Sequence, residues 1–383
     1  MKHLFLVAFL LIITGLFVAA NIYTFIPIYQ SISDSIHISI EKAVLGGSIF
    51  SFFYAIGLLT FGPLSERVGR KKVIVYGLFL SIVTTGLVSF SFNEASLYVF
   101  RGLQGFALGS FAPVAFAYTF EIFPVRHQTL VLALINSGFL IAGILGQLMS
   151  SSITYFYGWE NVFYCFAGIY LVLFIGSLFI YPSLPVTKKD DASLLQDFYK
   201  IVRNPALVIC YFITFSILLS FVAFYDGIGQ YLNEQHGADE QTLFKIRAIG
   251  LIGASLSLFT GKFVQRFGDR RTLLIGLILA TTSLIFLFMS QTPGLIAILS
   301  VPFVASISLL FPSIISLVGK LGEHARGSAI SLYSFTLLTG ASLGPIIAST
   351  LDFPILLVML IGVFIFNIAM GLRLKFSYEK GYH

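Results

Sequence analysis

The chain contains twelve apolar runs, separated by short polar segments that carry most of its charges. A helix needs about 20 apolar residues to cross a hydrocarbon core about 30 Å thick, so each run is long enough for one crossing. With 57% hydrophobic and 10% charged residues, the chain has too little polar surface to cover a soluble globule and is predicted to be a membrane protein. The runs lie at residues 4–29, 43–61, 73–92, 96–120, 129–153, 161–181, 206–228, 244–261, 273–290, 295–319, 328–350 and 353–372.

The runs predict helices rather than strands, because strands of a membrane barrel would alternate apolar and polar residues over about ten positions. The first run could instead be a cleaved signal peptide, since Lys2 precedes it and Val18-Ala19-Ala20 resembles a cleavage site. Its apolar character continues through Ile28, however, beyond the roughly 7–15 residues of a signal core. A first membrane helix is therefore the favoured interpretation.

A charged segment occurs twice, 199 positions apart, each time between two apolar runs. The sequence GPLSERVGRKK at residues 62–72 matches GKFVQRFGDRR at residues 261–271. The residues in register are Gly62 with Gly261, Arg67 with Arg266, and Gly69 with Gly268. A repeat at half the chain length predicts two homologous halves, an arrangement that many secondary transporters build around a site at the bilayer midplane.

The predicted fold is therefore an all-α membrane protein with twelve transmembrane helices in two pseudo-symmetric six-helix bundles. The bundles are expected at residues 1–181 and 206–383, joined by a cytoplasmic linker at 182–205. Within the linker, the amphipathic segment 194–200 predicts a short helix on the membrane surface, with a solvated tether as the alternative.

The distribution of basic residues predicts the orientation. On the side that holds the N-terminus lie 19 of the 23 lysines and arginines, so both termini are expected in the cytoplasm. These residues are dispersed over loops and form no basic, aromatic-interleaved face, so nucleic acid is not an expected partner. No cysteine and histidine group has metal-ligand spacing, and no metal site is predicted.

Two motifs resemble those of the major facilitator superfamily. The segment 62–72 resembles the signature loop between helices two and three, G-x-x-x-D-R-x-G-R-[KR]-[KR], and residues 101–105, RGLQG, resemble the R-x-x-Q-G motif of helix four. With the twelve runs and the repeat, the resemblance covers essentially the whole chain. It implies a secondary active transporter, with no enzymatic activity and no cofactor, that encloses a solute cavity between helices one, four, seven and ten.

Among subfamilies, the chain is most similar to the twelve-helix proton-antiporting exporters of drugs and metabolites. That similarity implies efflux of a small solute in exchange for protons, by a monomer in the lipid bilayer of the bacterial cytoplasmic membrane. A proton-coupled importer or a uniporter of a sugar, organic acid or other metabolite is the alternative, and a membrane receptor is a remoter one. A nucleotide-binding loop and paired catalytic groups at membrane depth are both missing from the sequence.

The exporters carry G-x-x-x-G-P-x-x-G-G in helix five, and this chain departs from it. Gly143 stands where the pattern has proline, and Gln147 replaces the last glycine. The corresponding stretch of helix eleven fits the pattern better. The residues expected to bend the helices, with ordinary helix packing as the alternative, are Gly138, Gly143 and Gly146 in helix five and Gly340, Gly344 and Pro345 in helix eleven.

Ionisable residues within the runs are few, and a charge at bilayer depth costs roughly 2.5–3.5 kcal/mol. The resemblance implies that Arg101 takes part in proton coupling, since a permanent cation can hold a nearby carboxylate deprotonated. A structural arginine bonded to backbone carbonyls is the alternative. Asp226 is the candidate for the titrating carboxylate, with a position at the water boundary as the alternative interpretation.

Related exporters place an aspartate near the middle of helix one, where this chain has Asn21. A neutral amide cannot carry a proton, so coupling by that residue is excluded.

The resemblance also implies a gate on the cytoplasmic side. Glu66 is expected to meet the start of helix eleven near Gly327, where backbone N–H groups carry partial positive charge. Because the second copy has Gln265 at the matching place, this electrostatic contact should exist on one side only. The residues assigned to the gate are Gly62, Glu66, Arg67, Gly69, Arg70, Glu121 and Arg266, and those assigned to the cavity are Asn21, Tyr23, Gln104, Phe224 and Tyr225.

Overall fold

The computed structural model describes residues 2–184, 194–237, 246, 249, 250, 252–289 and 292–374. Eleven helical segments within these ranges are long and apolar enough to cross a membrane. The eighth predicted run, 244–261, lies partly outside the described residues. The prediction of an all-α membrane protein is confirmed.

Within the described ranges, fifteen α-helices have defined bounds and are numbered in chain order. They are α1 (Lys2–Tyr23), α2 (Tyr29–Ile36), α3 (Ile40–Val68), α4 (Arg70–Val88), α5 (Glu94–Leu108), α6 (Ala112–Ile122), α7 (Val125–Tyr157), α8 (Glu160–Ile180), α9 (Leu194–Arg203), α10 (Pro205–His236), α11 (Ser257–Phe267), α12 (Asp269–Met289), α13 (Pro293–Leu321), α14 (Arg326–Thr350) and α15 (Phe353–Arg373). The predicted linker helix is present as α9.

Two of the predicted runs are interrupted at a proline. In the first run, α1 ends at Tyr23 and is followed by a 3-10 turn, Ile26–Ile28, with Pro27 as its second residue. The fourth run divides into α5 and α6, with Pro113 in the first turn of α6. Proline lacks a backbone N–H and has a fixed φ, so it suits the first turn of a helix, where that N–H would be unpaired.

The segment 62–72 was expected to be a loop, and that expectation is wrong. Helix α3 continues to Val68 and α4 begins at Arg70, so only Gly69 lies outside a helix, with φ 107°. The second copy repeats this arrangement, with Gly268 at φ 81° between α11 and α12. Positive φ is accessible to glycine at little cost. The two glycines in register thus mark sharp helix-to-helix turns, and the charged residues around them are helical.

The chain forms two compact units. One contains Met1–Pro124, Leu134–Leu194 and Ala325–Phe335, and the other contains Val125–Ala133, Leu195–His324 and Thr336–His383. In the first unit, α3 packs against α5 and α4 packs against α8; in the second, α12 packs against α13 and α15. The first turns of α14 therefore belong to the first unit and the start of α7 to the second. The bundle boundaries at residues 181 and 206 stay a prediction.

Glycines of α7 and α14 allow close helix approach within each unit. A Cβ on Gly146 would lie 2.3 Å from the carbonyl oxygen of Ala20 in α1, and one on Gly340 would lie 2.2 Å from that of Phe215 in α10. Only a residue without a side chain fits at such a distance. The glycines in the same two contacts are Gly138, Gly143 and Gly344, and Pro345 lies inside α14. Whether these residues also bend the helices stays a prediction.

Replacement of Gly69 should destabilise the protein through its backbone conformation. We expect Gly69→Ala to lower the free energy of unfolding by about 1–3 kcal/mol, because an L side chain is strained at this φ. The control is Gly86→Ala in α4, where a Cβ would meet nothing within 4 Å. Denaturant unfolding in mixed micelles measures both variants, and equal stabilities would contradict the strain argument.

Candidate functional site

Glu66, in the last turn of α3, lies at the start of α14. Its Oε1 accepts a hydrogen bond from the backbone N–H of Gly327, within the first unit. The N–H groups in the first turn of a helix have no acceptor within the helix and carry partial positive charge, so they stabilise a carboxylate. The contact expected from the sequence near Gly327 is therefore present. The Glu66 side chain is only 11% exposed, which limits screening by solvent.

Arg70 lies at the centre of the polar network around this contact. Its Nε is 3.0 Å from Glu121 Oε1, and its Nη2 is 3.5 Å from Glu66 Oε1. Its Nη1 donates to the carbonyl oxygen of Gly62, 3.2 Å away, and to the hydroxyl of Ser65. The buried guanidinium thus compensates two acids and ties α4 to α3. We call Glu66, Arg70, Glu121 and Gly327 the latch.

A row of serines extends the contact along α14. Ser328, Ser331 and Ser334 follow at three-residue spacing, which places them on one helical face. Their hydroxyls are buried and have no hydrogen-bond partner among the residues that the structure describes. A buried hydroxyl without a hydrogen-bond partner is destabilising. Gly62 lies opposite, where a Cβ would be 1.8 Å from Ser331 Oγ. The helices are therefore in close contact at Gly62 and Ser331, although the three serine hydroxyls lack partners among the described residues.

The second copy of the repeat lacks the charged contact. Gln265 Nε2 donates to the carbonyl oxygen of Arg126, 2.6 Å away, and the amide carries no charge. Lys320 forms an ion pair with Asp269. These residues lie 199 positions after Glu121 and Arg70, so the repeat retains this ion pair with its charges exchanged.

The two remaining arginines assigned to the gate lie at the surface. Arg67 is exposed near the end of α3. Arg266 is exposed near the end of α11, where its guanidinium carbon is 5.4 Å from the ring centroid of Phe267. Their roles in gating stay predictions.

Arg101 is fully buried on α5. Its Nη1 donates to Gln104 Oε1 at 2.5 Å and lies 3.5 Å from Asn21 Oδ1. Its Cζ lies 4.1 Å from the ring centroids of both Phe25 and Phe50. A ring face attracts a cation through its quadrupole, and the attraction strengthens when the cation is desolvated.

A neutral hydrogen-bond network holds the two amides beside Arg101. Gln104 Nε2 lies 3.1 Å from both Asn21 Oδ1 and Thr85 Oγ1. Asn21 Nδ2 in turn donates to the hydroxyl of Tyr170, 3.2 Å away. Tyr170 donates to the carbonyl oxygen of Phe17, at 3.1 Å. The orientation of each amide is therefore set by two donors or acceptors on other helices.

No described acidic side chain forms an ion pair with Arg101. Its Nε and Nη2 also have no hydrogen-bond acceptor within the described ranges. The sequence led us to expect a carboxylate near this arginine, and the described part of the chain brings none to it. The role of Arg101 in proton coupling stays a prediction.

The other predicted site residues lie on α10 and α1. Asp226 and Tyr225 are half-buried on α10, in the second unit. Phe224 is fully buried, with its ring centroid 4.4 Å from that of Phe303, so it packs in the core between α10 and α13. Tyr23 is half-buried at the end of α1 and lies against Gly143. Cavity lining by these residues stays a prediction.

The family model described as Major Facilitator Superfamily matches residues 11–345 and 248–380. The chain belongs to the major facilitator superfamily. It is accordingly a multi-pass membrane transporter of small molecules rather than an enzyme.

Individual members of the superfamily are similar over most of the chain. An uncharacterised transporter of Buchnera aphidicola subsp. Schizaphis graminum (strain Sg) is 28% identical over 299 residues, which is 76% of this chain and 71% of that protein. The multidrug resistance protein MdtG of Salmonella heidelberg (strain SL476) is 24% identical over 359 residues, or 90% and 88% of the two chains. The crystal structure of the human organic anion transporter MFSD10 (TETRAN) has the same fold, with a TM-score of 0.78, 14% identity and coverage of 96% and 99%.

Several residues of this superfamily member could not be selected from the sequence. Thr85 and Tyr170 complete the hydrogen-bond network beside Arg101, and the rings of Phe25 and Phe50 cover its guanidinium. In a chain with 41 phenylalanines, nothing in the sequence distinguishes these two from the others. The pair of Asp269 and Lys320 did have a signal. Adding the repeat offset of 199 to Arg70 and Glu121 gives these positions.

Neutralising Glu66 should release the latch. We expect Glu66→Gln to shift the population towards a state open on the predicted cytoplasmic side, because an amide loses the charge that interacts with the start of α14. Distances between spin labels at Lys72 and Glu323 measure this, with longer distances expected in the variant. The control is Glu41→Gln, an exposed glutamate in the first turn of α3. Unchanged distances in Glu66→Gln would refute the latch.

Exchanging the charges of the second ion pair should reproduce the first. Asp269→Arg and Lys320→Glu should each lower the free energy of unfolding by about 1–4 kcal/mol, since each places two like charges together at a partly buried site. The double variant should regain most of that loss. Denaturant unfolding in mixed micelles tests this, and a double variant no more stable than the weaker single variant would contradict the equivalence.

Proposed function

We propose that this transporter works by alternating access and exports a small drug-like or metabolite solute in exchange for protons. We place it in the bacterial cytoplasmic membrane as a monomer, with both termini in the cytoplasm. The observation that carries the proposal is the hydrogen bond from the Gly327 N–H to the Glu66 carboxylate, which joins residues 261 positions apart.

The energetics of this contact suit a gate. A hydrogen bond to a charged group contributes roughly 1.5–3 kcal/mol, and the unbonded hydroxyls of Ser328, Ser331 and Ser334 offset such a gain. A transporter needs two conformations that differ by only a few kcal/mol, so that a solute or a proton can shift their populations. Water would solvate the carboxylate, the amide and the serines once the surface opened. A closed state that is held weakly by polar contacts is thus able to open.

Export is supported by the relatives. The chain resembles proteins named multidrug resistance protein MdtG along 90% of its length in one case. The transport energy would come from the proton gradient, without a cofactor. Import by the same cycle is the alternative direction.

Asp226 is the proposed proton carrier. It is an acidic side chain within a candidate span, and its half-buried position on α10 allows contact with water. We propose that it takes up a proton from outside and releases it inward after the conformational change. Asn21 cannot carry the proton, because an amide side chain does not ionise at physiological pH.

The experiment has two stages. Screening a strain that lacks the gene against antibiotics, dyes and metabolites identifies a substrate by increased sensitivity. That substrate is then added to energised everted vesicles, where release of protons indicates antiport. Proton uptake instead would indicate the opposite direction, and no flux in reconstituted liposomes would contradict a transport function in this assay.

Replacement of Asp226 tests the proton carrier directly. We expect Asp226→Asn to abolish proton release from the vesicles, because the amide cannot bind a proton, while exchange of labelled for unlabelled substrate persists. The matched control is Asp34→Asn, an exposed aspartate hydrogen-bonded to Gln30. Proton-driven transport that is unaltered in Asp226→Asn would eliminate this role.

A further inference from the structure

Arg101 is a buried cation without a counter-ion in the described part of the chain. Its side chain has no exposure to solvent, and its neighbours are amides, hydroxyls and phenyl rings. A buried charge is ordinarily paired, because desolvation is costly. Rings and amides reduce this cost but do not neutralise the charge. The missing component is a negative charge.

The guanidinium nitrogens of Arg101 that lack an acceptor indicate the geometry of its missing partner. Nη1 donates to Gln104, whereas Nε and Nη2 have no acceptor within the described residues. These two nitrogens form one edge of the guanidinium, and their N–H bonds point the same way. That edge makes two parallel hydrogen bonds to the two oxygens of a carboxylate. A lone acceptor would leave one of the donors unbonded.

We propose that Arg101 binds a carboxylate group of the transported solute through Nε and Nη2. The proposal rests on the proposed function, since the edge is shielded in this structure and becomes accessible only through a conformational change. It narrows the substrate class to organic anions with an apolar body, because Phe25 and Phe50 border the cation. Cationic solutes are excluded from this position by repulsion from the guanidinium.

The neighbouring amide provides a test within the chain. Asn21 Oδ1 lies 3.5 Å from Arg101 Nη1. Asn21→Asp keeps the size of the side chain and supplies a carboxylate beside the arginine, so it should neutralise the cation and compete with the solute. Arg101→Lys retains the charge but removes the paired donors.

The experiment measures thermal unfolding of the full chain in nanodiscs, with benzoate, hexanoate, benzamide or hexanamide added. A ligand that binds the folded state raises the melting temperature by an amount that grows with its concentration relative to its Kd. We expect both carboxylates to raise it in the wild type and neither amide to do so. In Asn21→Asp and in Arg101→Lys, affinity for the carboxylates should fall about tenfold or more. The matched controls are Asn161→Asp and Arg203→Lys, which make the same changes at exposed positions on α8 and α9 and should retain the wild-type shift.

Three outcomes would overturn the proposal. They are no shift with either carboxylate in the wild type, equal shifts with carboxylates and amides, and undiminished shifts in Asn21→Asp. If Arg101→Lys does not fold, Asn21→Asp still decides the question. No proton gradient is used, so a failure of proton-driven export in vesicles would leave this result standing, and a failure of binding would leave antiport of another solute class intact.

Discussion

The interaction between the Glu66 carboxylate and the first turn of α14 is the contact on which the proposed gate depends. Arg70 supports it from one turn further along the chain, by pairing with Glu66 and Glu121. That geometry requires the turn at Gly69, because the positive φ lets α4 start immediately after α3 and brings the arginine back over the end of α3. A glycine, an acid and a basic residue of one short segment thus have separate physical roles: turning the chain, making the contact and compensating its charge.

The second copy of the repeat retains the helix-to-helix turn and an ion pair, but it lacks the acidic residue. Gly268 makes the same kind of turn as Gly69, and an ion pair recurs at the same offset with its charges exchanged. The acid does not recur, since Gln265 occupies its place and donates to a carbonyl oxygen. In our account only the first copy therefore makes a charged contact with a helix start. Such a difference allows the two copies to share a fold while one of them carries the electrostatic gate.

The sequence predicted the helices well because membrane spans are set by a simple balance, the transfer of apolar side chains against the cost of unpaired backbone groups. It failed at residues 62–68, where charged side chains suggested a loop although the backbone stays helical up to Gly69. The contact between Glu66 and Gly327 was expected because the resemblance to the superfamily implied it, and the start of the helix could be placed from the sequence. The surroundings of Arg101 were not predictable in this way. They depend on the rotation of α3 and α5 about their axes and on the path of the chain after α1, which bring the rings of Phe50 and Phe25 onto the guanidinium.

The most direct test of the account is the accessibility of Ser331, which is buried against Gly62 when the latch is formed. In a chain with Cys165 and Cys210 replaced by alanine, Ser331→Cys is exposed to an impermeant maleimide in everted and in right-side-out vesicles. The account predicts that Ser331→Cys is labelled slowly. In everted vesicles only, Glu66→Gln should accelerate this labelling about tenfold. That factor corresponds to a loss of about 1.4 kcal/mol of the free energy by which the latch stabilises the closed state. An unchanged rate in Glu66→Gln, or labelling from the opposite face, would contradict it.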